Sequence, residues 1–231
     1  MDCSFKKIAA CIGLFASLTG CVTKDLSSEN RQLVKAIWIV PIDMSLGQFK
    51  YNSMDQAWQA GLGAGVGAAS GMATGSRISP AVLAGASAAA ATDNRGISPG
   101  EAILLNMRRN DIDVGVILRK RLEARITKEK LFTIAPDAAK ADAKIEFIVT
   151  EWGVSLKNFS TELYPTIGLS AVMRRGDEQI WRNFETITAL SDGNDLAFTP
   201  QRYATDPEAL RTAFGNAVDL MVDKLMIDLK Q

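Results

Sequence analysis

Cysteine and acidic side chains are the groups with which this sequence could do covalent or metal chemistry. The 231 residues contain three cysteines, Cys3, Cys11 and Cys21, and no histidine. Serine and cysteine triads that use a histidine base are therefore excluded, as are zinc sites built on histidine. Because all three cysteines fall within the first 21 positions, we also expect no disulfide and no thiol nucleophile in the rest of the chain.

Two close pairs of aspartates could serve acid–base catalysis, Asp111 with Asp113 and Asp192 with Asp195. The first pair stands between two predicted helices, where a carboxylate caps a helix. The second lies in a turn that has the oxygen-rich composition of a calcium loop but lacks the later glutamate. Capping and turn formation explain both pairs, so we predict no catalytic residue, no metal and no cofactor. An enzyme stays open as a third hypothesis.

The charges are balanced, with 26 lysines and arginines against 26 aspartates and glutamates. No field of the whole protein therefore favours nucleic acid, and we infer neither a nucleic-acid partner nor a small-molecule substrate. Basic side chains are concentrated on the second of two consecutive predicted helices and at the end of the first. They could bind lipid head groups or an acidic protein, although a solvated helix surface explains them as well. These residues are Arg108, Arg109, Arg119, Lys120, Arg121, Arg125 and Lys130.

The first 21 residues have the features of an export signal. Lys6 and Lys7 precede an apolar run over residues 8–18, which is too short to span a membrane as a stop-transfer helix. The run ends in Leu18-Thr19-Gly20-Cys21, which resembles a bacterial lipobox. That resemblance implies cleavage after Gly20 and a diacylglycerol and acyl anchor on Cys21. An ordinary buried N-terminal helix is the alternative.

The residues after Cys21 bear on where the protein is sorted. Position 22 is valine, whereas aspartate there marks inner-membrane retention in the families that this pattern resembles. We therefore expect an outer-membrane lipoprotein with its domain in the periplasm. Residues 22–33 are polar and lack apolar periodicity, which predicts a flexible tether.

Residues 56–92 form a Gly/Ala-rich segment whose only charge is Arg77. Small residues recur every four positions in two stripes, which predicts a helical hairpin with smooth faces that pack against a membrane helix or another subunit. Alternatives are a flexible insertion or a hairpin folded back on its own domain. The glycines predicted to make membrane or oligomer contacts are Gly61, Gly63, Gly65, Gly67, Gly71, Gly75 and Gly85.

The remaining residues, 34–55 and 93–231, predict one α/β domain, with a two-layer α+β arrangement. We expect a mixed sheet of about five strands with an antiparallel meander, helices on one or both faces, and the hairpin as an insertion. Residues 34–42 predict a strand buried on both faces. Residues 144–152, 166–174 and 180–190 predict the meander, the last strand with Trp181, Phe184 and Ile187 pointing inward. Capped helices are expected to begin near residues 98, 113 and 206.

Short motifs in this domain carry a second resemblance. They are Leu131 to Pro136, Ala141-Asp142-Ala143 leading into a strand, and a turn at Gly176 followed by Ile180-Trp181. They resemble envelope lipoproteins whose domain is similar to the anticodon-binding-domain fold of the TolB N-terminal domain. Those families include the curli-secretion channel and the lipoprotein activators of penicillin-binding proteins. The resemblance implies fold and partner class, and identifies no functional residue.

Together these features predict a non-enzymatic envelope lipoprotein that assembles with itself or belongs to an outer-membrane assembly or secretion complex. The alternative is a monomeric tethered adaptor or activator of a cell-wall or other envelope enzyme. Both hypotheses attach the protein to the membrane through Cys21 and differ in whether the partner is another copy or a different envelope protein.

Overall fold

A computed structural model describes residues 23–44, 48–52, 97–157 and 160–230. They form an α/β domain with a six-stranded mixed sheet and five helices. The strands are β1 (Ala36–Ile39), β2 (Phe49–Asn52), β3 (Thr133–Ile134), β4 (Ala143–Leu156), β5 (Leu163–Arg175) and β6 (Glu178–Ile187). The helices are α1 (Ser28–Leu33), α2 (Pro99–Arg109), α3 (Val114–Glu129), α4 (Pro200–Thr205) and α5 (Pro207–Lys230).

The sheet has the order β3-β1-β4-β5-β6, and β2 pairs with the far end of β4. Strands β4, β5 and β6 are an antiparallel meander, whereas β1 and β2 both run parallel to β4. The mixed sheet with its meander is thus confirmed. Sequence analysis missed β2, because four residues that pair only with the end of β4 carry little periodicity.

The helices gather on one face of the sheet. Helix α5 packs on β5 and β6, α3 packs on α5, and α2 contacts β2 and α4. The apolar stripe of α5 faces the core, since Phe214, Met221 and Leu225 are buried. The predicted helix starts are also confirmed: Ser98 and Glu101 form a capping box on α2, and Asp113 caps α3.

The segment before β1 differs from the predicted tether. Backbone hydrogen bonds join Lys24 to Arg182 on the outer edge of β6, Leu26 is 3% exposed in the core, and Ser27 caps α1. The Arg31 guanidinium donates to the carbonyl of Leu229 at 2.5 Å. A single buried leucine and a few backbone bonds hold this segment, and these leave no apolar periodicity in the sequence.

Strand β1 also differs in part from its prediction. Ile37 and Ile39 are fully buried, but Trp38 and Ala36 are only partly covered, so burial alternates along the strand. The near-continuous apolar run suggested burial on both faces. The helices of the described residues lie on one face only, so the run reflects one buried face and one partly exposed tryptophan.

Asp142 ties the starts of β1 and β4 together. Its Oδ2 accepts hydrogen bonds from the backbone N–H groups of Lys35 and Ala36, each at 2.8 Å, and its own N–H donates to the Ala36 carbonyl. These backbone donors hold the pKa of the Asp142 carboxyl below its usual value, despite some desolvation. The aspartate of the Ala141-Asp142-Ala143 motif therefore has a structural role.

We predict that Asp142→Asn destabilises the domain at neutral pH. A carboxyl whose pKa is lowered by folding stabilises the fold above its unfolded pKa of about 4, and this stabilisation is lost as the pH falls through the folded pKa. Thermal unfolding should show a lower Tm at pH 7 and a shallower loss of stability below about pH 4. Asp177→Asn, in the exposed β5–β6 turn, is the matched control and should change neither; equal behaviour of the two variants would contradict the role of Asp142.

Gly153 allows β2 to approach β4. Its φ is +152°, and a Cβ built there would lie 1.9 Å from the carbonyl oxygen of Lys50. No side chain fits between two backbones at that distance. Gly153 is therefore required where β2 joins the sheet.

We predict that Gly153→Ala lowers the free energy of unfolding by about 2 kcal/mol or more, through backbone strain and the clash with Lys50. Gly176→Ala is the control, because Gly176 also has a positive φ, +58°, but its Cβ would meet no described atom within 4 Å. That change should cost only about 1 kcal/mol. Urea unfolding measures both values, and an equal cost would show that the close approach of β2 is unimportant.

Candidate functional site: the open face of the sheet

The residues that sequence analysis selected for membrane or subunit contact fall outside the described ranges. Cys21 lies three positions before Lys24, and all seven contact glycines lie within residues 53–96. The described residues nevertheless fix the places from which these segments leave the domain.

The described elements on either side of the Gly/Ala-rich segment, β2 and α2, meet at one place. Strand β2 ends at Asn52 and α2 begins at Pro99, and a Cβ built on Gly100 would lie 3.0 Å from the Cβ of Tyr51. The chain therefore leaves and re-enters the domain beside Tyr51. The core formed by the described residues is continuous across this point, because Ile37, Ile103 and other residues from both sides belong to one apolar cluster.

The face of the sheet opposite the helices has no covering element among the described residues. Its side chains alternate with those that face the helices, since successive residues of a strand point to opposite sides. We call it the open face. On β4, β5 and β6 it includes Lys144, Glu146, Ile148, Glu151, Gly168, Ser170, Val172, Arg174, Arg182, Phe184 and Thr186, and Thr150 of the β4 bulge also lies beside Gly168.

An apolar row crosses the middle of the open face. Ile148 and Phe184 are directly opposite Ser170 on either side, and they are 59% and 50% exposed. Ser170 itself is 5% exposed, and its buried hydroxyl has no hydrogen-bond partner among the described residues. Val172, also 5% exposed, lies outside the helix-side core cluster. Two large apolar side chains thus stand exposed beside a shallow, small-residue centre.

The inward orientation predicted for Phe184 is wrong. Register pairs Trp181 with Met173 and Ile187 with Ile167 on the helix side, whereas Phe184 pairs with Ser170 on the open face. A strict period of two from Trp181 would have placed Phe184 outside. Trp181, Phe184 and Ile187 are spaced three residues apart, and residues at that spacing cannot all point to one face of a strand.

Cations dominate the end of the open face near Lys24. The Glu146 carboxylate lies 2.7 Å from Lys144 Nζ and 3.5 Å from Arg174 Nε. Arg182 has no carboxylate within salt-bridge distance in the described ranges, and the ammonium of Lys24 donates to the Gln179 carbonyl. Four cations therefore accompany one carboxylate, and the surface is positive beside its apolar row.

The first aspartate pair lies at the start of α3, and the second pair is exposed in the loop after β6. Asp113 Oδ1 accepts from the Val116 N–H as the cap of α3, and Asp111 adopts a left-handed φ of +50°. Both line a groove of about 430 Å³ together with Asp43. In the second pair's loop, the buried Asn194 amide donates to the carbonyls of Pro165 and Thr188. Among the described residues, no cluster of three or more potential ligands could hold a metal ion.

Three arginines of α3 form ion pairs within the helix layer. Arg121 is bonded to Asp219, Arg125 lies 2.9 Å from Asp223, and Arg119 lies 2.7 Å from Glu123. These pairs follow the α3–α5 seam beside a shallow groove of about 350 Å³. Ion pairs therefore account for Arg119, Arg121 and Arg125, whereas Arg108, Arg109, Lys120 and Lys130 are exposed.

Comparison with known proteins gives little further information. No protein-family model matches this chain, and no curated protein matches it. Among solved structures it is similar to a Xanthomonas campestris protein of the family model DUF330, with 16% identity and a TM-score of 0.35. That match covers 48% of this chain, which spans 58% of the neighbour's length. A likeness this low carries no argument about function.

None of the helices in the described ranges is both long enough and apolar enough to cross a bilayer.

We predict opposite outcomes for two aromatic residues of β6. Phe184→Ser should change the free energy of unfolding by no more than about 1 kcal/mol, because half of the ring is already exposed. Trp181→Ser should cost about 3 kcal/mol or more, since it opens a core cavity and removes the 2.6 Å bond from Nε1 to Asp228. Urea unfolding measures both. A large loss for Phe184→Ser would mean that the open face is covered.

Proposed function

We propose that this chain is a non-enzymatic lipoprotein of the outer membrane, anchored through diacylglycerol and an acyl chain on Cys21. Its domain lies in the periplasm and assembles with itself or within an envelope assembly or secretion complex. The Gly/Ala-rich segment supplies the membrane or subunit contacts. The resemblance to TolB-like envelope lipoproteins supports this class of function.

The approach of β2 and α2 beside Tyr51 is the observation that carries this proposal, because these are the described elements that flank the segment in sequence. The apolar cluster is built from residues on both sides of the segment. A segment attached in this way can engage a partner without unfolding the domain. Its glycine stripes suit close packing of helix backbones, because glycine leaves no side chain at the contact.

The anchor and the segment leave the sheet far apart. Lys24 pairs with Arg182, which is level with Val172 and Glu146 across the sheet, whereas Asn52 is level with Ser155. Glu146 and Ser155 are nine positions apart on β4, or about 30 Å. One end of the domain is therefore near the lipid, and the other end presents the assembly segment.

We predict that full-length lipidated protein extracted in mild detergent is a discrete multimer. Replacing residues 56–92 by a short Gly/Ser linker should give a monomer whose thermal unfolding is unchanged, since both ends already meet at β2 and α2. Light scattering corrected for bound detergent measures the mass. An oligomer that survives the deletion would contradict this function for the segment.

Point variants test the stripes within the intact chain. Gly67→Val adds a branched side chain on a predicted contact stripe and should reduce the multimer, whereas Ala68→Val adds similar bulk off both stripes and should not. If the full-length protein is a monomer and copurifies with one envelope enzyme, the tethered-adaptor alternative replaces self-assembly.

A further inference from the structure

We propose that the open face of the sheet rests on the surface of an anionic bilayer. This inference builds on the proposed lipid anchor at Cys21. It adds an orientation of the domain and a second membrane contact, made by folded residues.

The short link between anchor and domain is the first argument. Hydrogen bonds of 2.8 and 2.9 Å between the backbones of Lys24 and Arg182 fix Lys24 on the edge of β6. Cys21 is three residues earlier, and three extended residues span at most about 11 Å. A lipid on Cys21 therefore holds the β6 edge close to the head groups. The chain between Cys21 and Lys24 is too short to hold the domain away from the membrane.

The composition of the open face is the second argument. Near Lys24 it presents Lys144, Arg174 and Arg182 beside the exposed Ile148 and Phe184. Cations above an apolar row match a surface of anionic head groups over acyl chains. The outward side of α5 serves as the comparison surface: Ile227 is 61% exposed there, and the carboxylates of Asp219 and Asp223 on the same helix are balanced by ion pairs with Arg121 and Arg125.

The pairing of Lys24 with Arg182 places the Lys24 side chain on the open face of the sheet. Lys24 is directly opposite Arg182, and residues opposite each other on neighbouring strands place their side chains on the same side of the sheet. Arg182 belongs to the open face, whereas Trp181, next to it, points to the helices. The chain that leads to the anchor therefore starts at the cationic end of the open face.

The test uses the full-length lipidated protein in vesicles of phosphatidylcholine with or without phosphatidylglycerol. A single cysteine at Phe184→Cys or Ile227→Cys carries an environment-sensitive fluorophore; its thiol is unique because Cys3 and Cys11 are removed with the signal peptide and the Cys21 sulfur is bonded to diacylglycerol. Lipids with nitroxides near the head group quench a fluorophore that touches the membrane. We expect blue-shifted emission and strong quenching at position 184 with phosphatidylglycerol, and neither at position 227.

Charge variants give a graded readout. Removing one cation near an anionic surface should shift the ratio of face-down to detached domains about fivefold. Arg182→Gln should therefore weaken the quenching at position 184, and added salt should weaken it further. Lys120→Gln makes the same charge change on the exposed side of α3 and should leave the quenching unchanged.

Three results would overturn the orientation. Equal quenching at positions 184 and 227 would show that no face is preferred, and absence of quenching at 184 would show that the open face does not touch lipid. A shielded fluorophore that nitroxide lipids do not quench would assign the open face to another protein chain. Mass spectrometry of the N-terminal peptide separates these failures from failure of the anchor, because an unacylated Cys21 would remove the proposed function itself.

Discussion

Packing of α5 on one side of the meander is the contact on which the rest of this structure depends. It buries Trp181, Met173 and the apolar stripe of the helix in a single core, and the Trp181 indole donates to Asp228 where helix and strand meet. Because α3 packs on α5, on the same face of the sheet, the two helices belong to one layer. The opposite side of β4, β5 and β6 is left without a helix in the described residues. An exposed sheet face is thus a consequence of how the core is built.

The N-terminal segment converts this asymmetry into an orientation. Residues 24–33 lie against the domain, with Lys24 on the β6 edge, Leu26 in the core and Arg31 on the end of α5. A long flexible tether would leave every face of the domain equivalent with respect to a membrane. A chain held down three residues after the expected lipid site favours one edge and the face beside it. The proposed membrane contact and the proposed assembly segment then use opposite ends of the sheet.

Several residues that look chemical in the sequence are structural in the fold. Asp142 accepts from two backbone N–H groups, Asp113 caps α3, and the Asn194 amide donates to the carbonyls of Pro165 on β5 and of Thr188. The arginines of α3 form ion pairs along the seam with α5. Acidic and amide side chains are favoured at strand starts, caps and turns because unpaired backbone groups there need partners. This local requirement explains why these residue types occur at these positions.

Helix starts and the hairpin turn could be predicted from the sequence alone. Capping patterns at Ser98 and Asp113 predicted the starts of α2 and α3, and the turn at Gly176 predicted the β5–β6 hairpin, because caps, turns and apolar periodicity depend on neighbouring residues. Composition and motif also gave the expectation of a lipid anchor at Cys21.

Which face of each strand is covered, and which distant segments meet, depends on contacts between residues far apart in sequence. Phe184 is exposed although it is apolar, because its parity places it opposite the helix layer. Strand β2 joins the sheet through the absence of a side chain at Gly153, and Lys24 finds its partner 158 positions away at Arg182. These contacts depend on the positions of elements that are far apart in the chain, and the open face they produce has no local sequence signature.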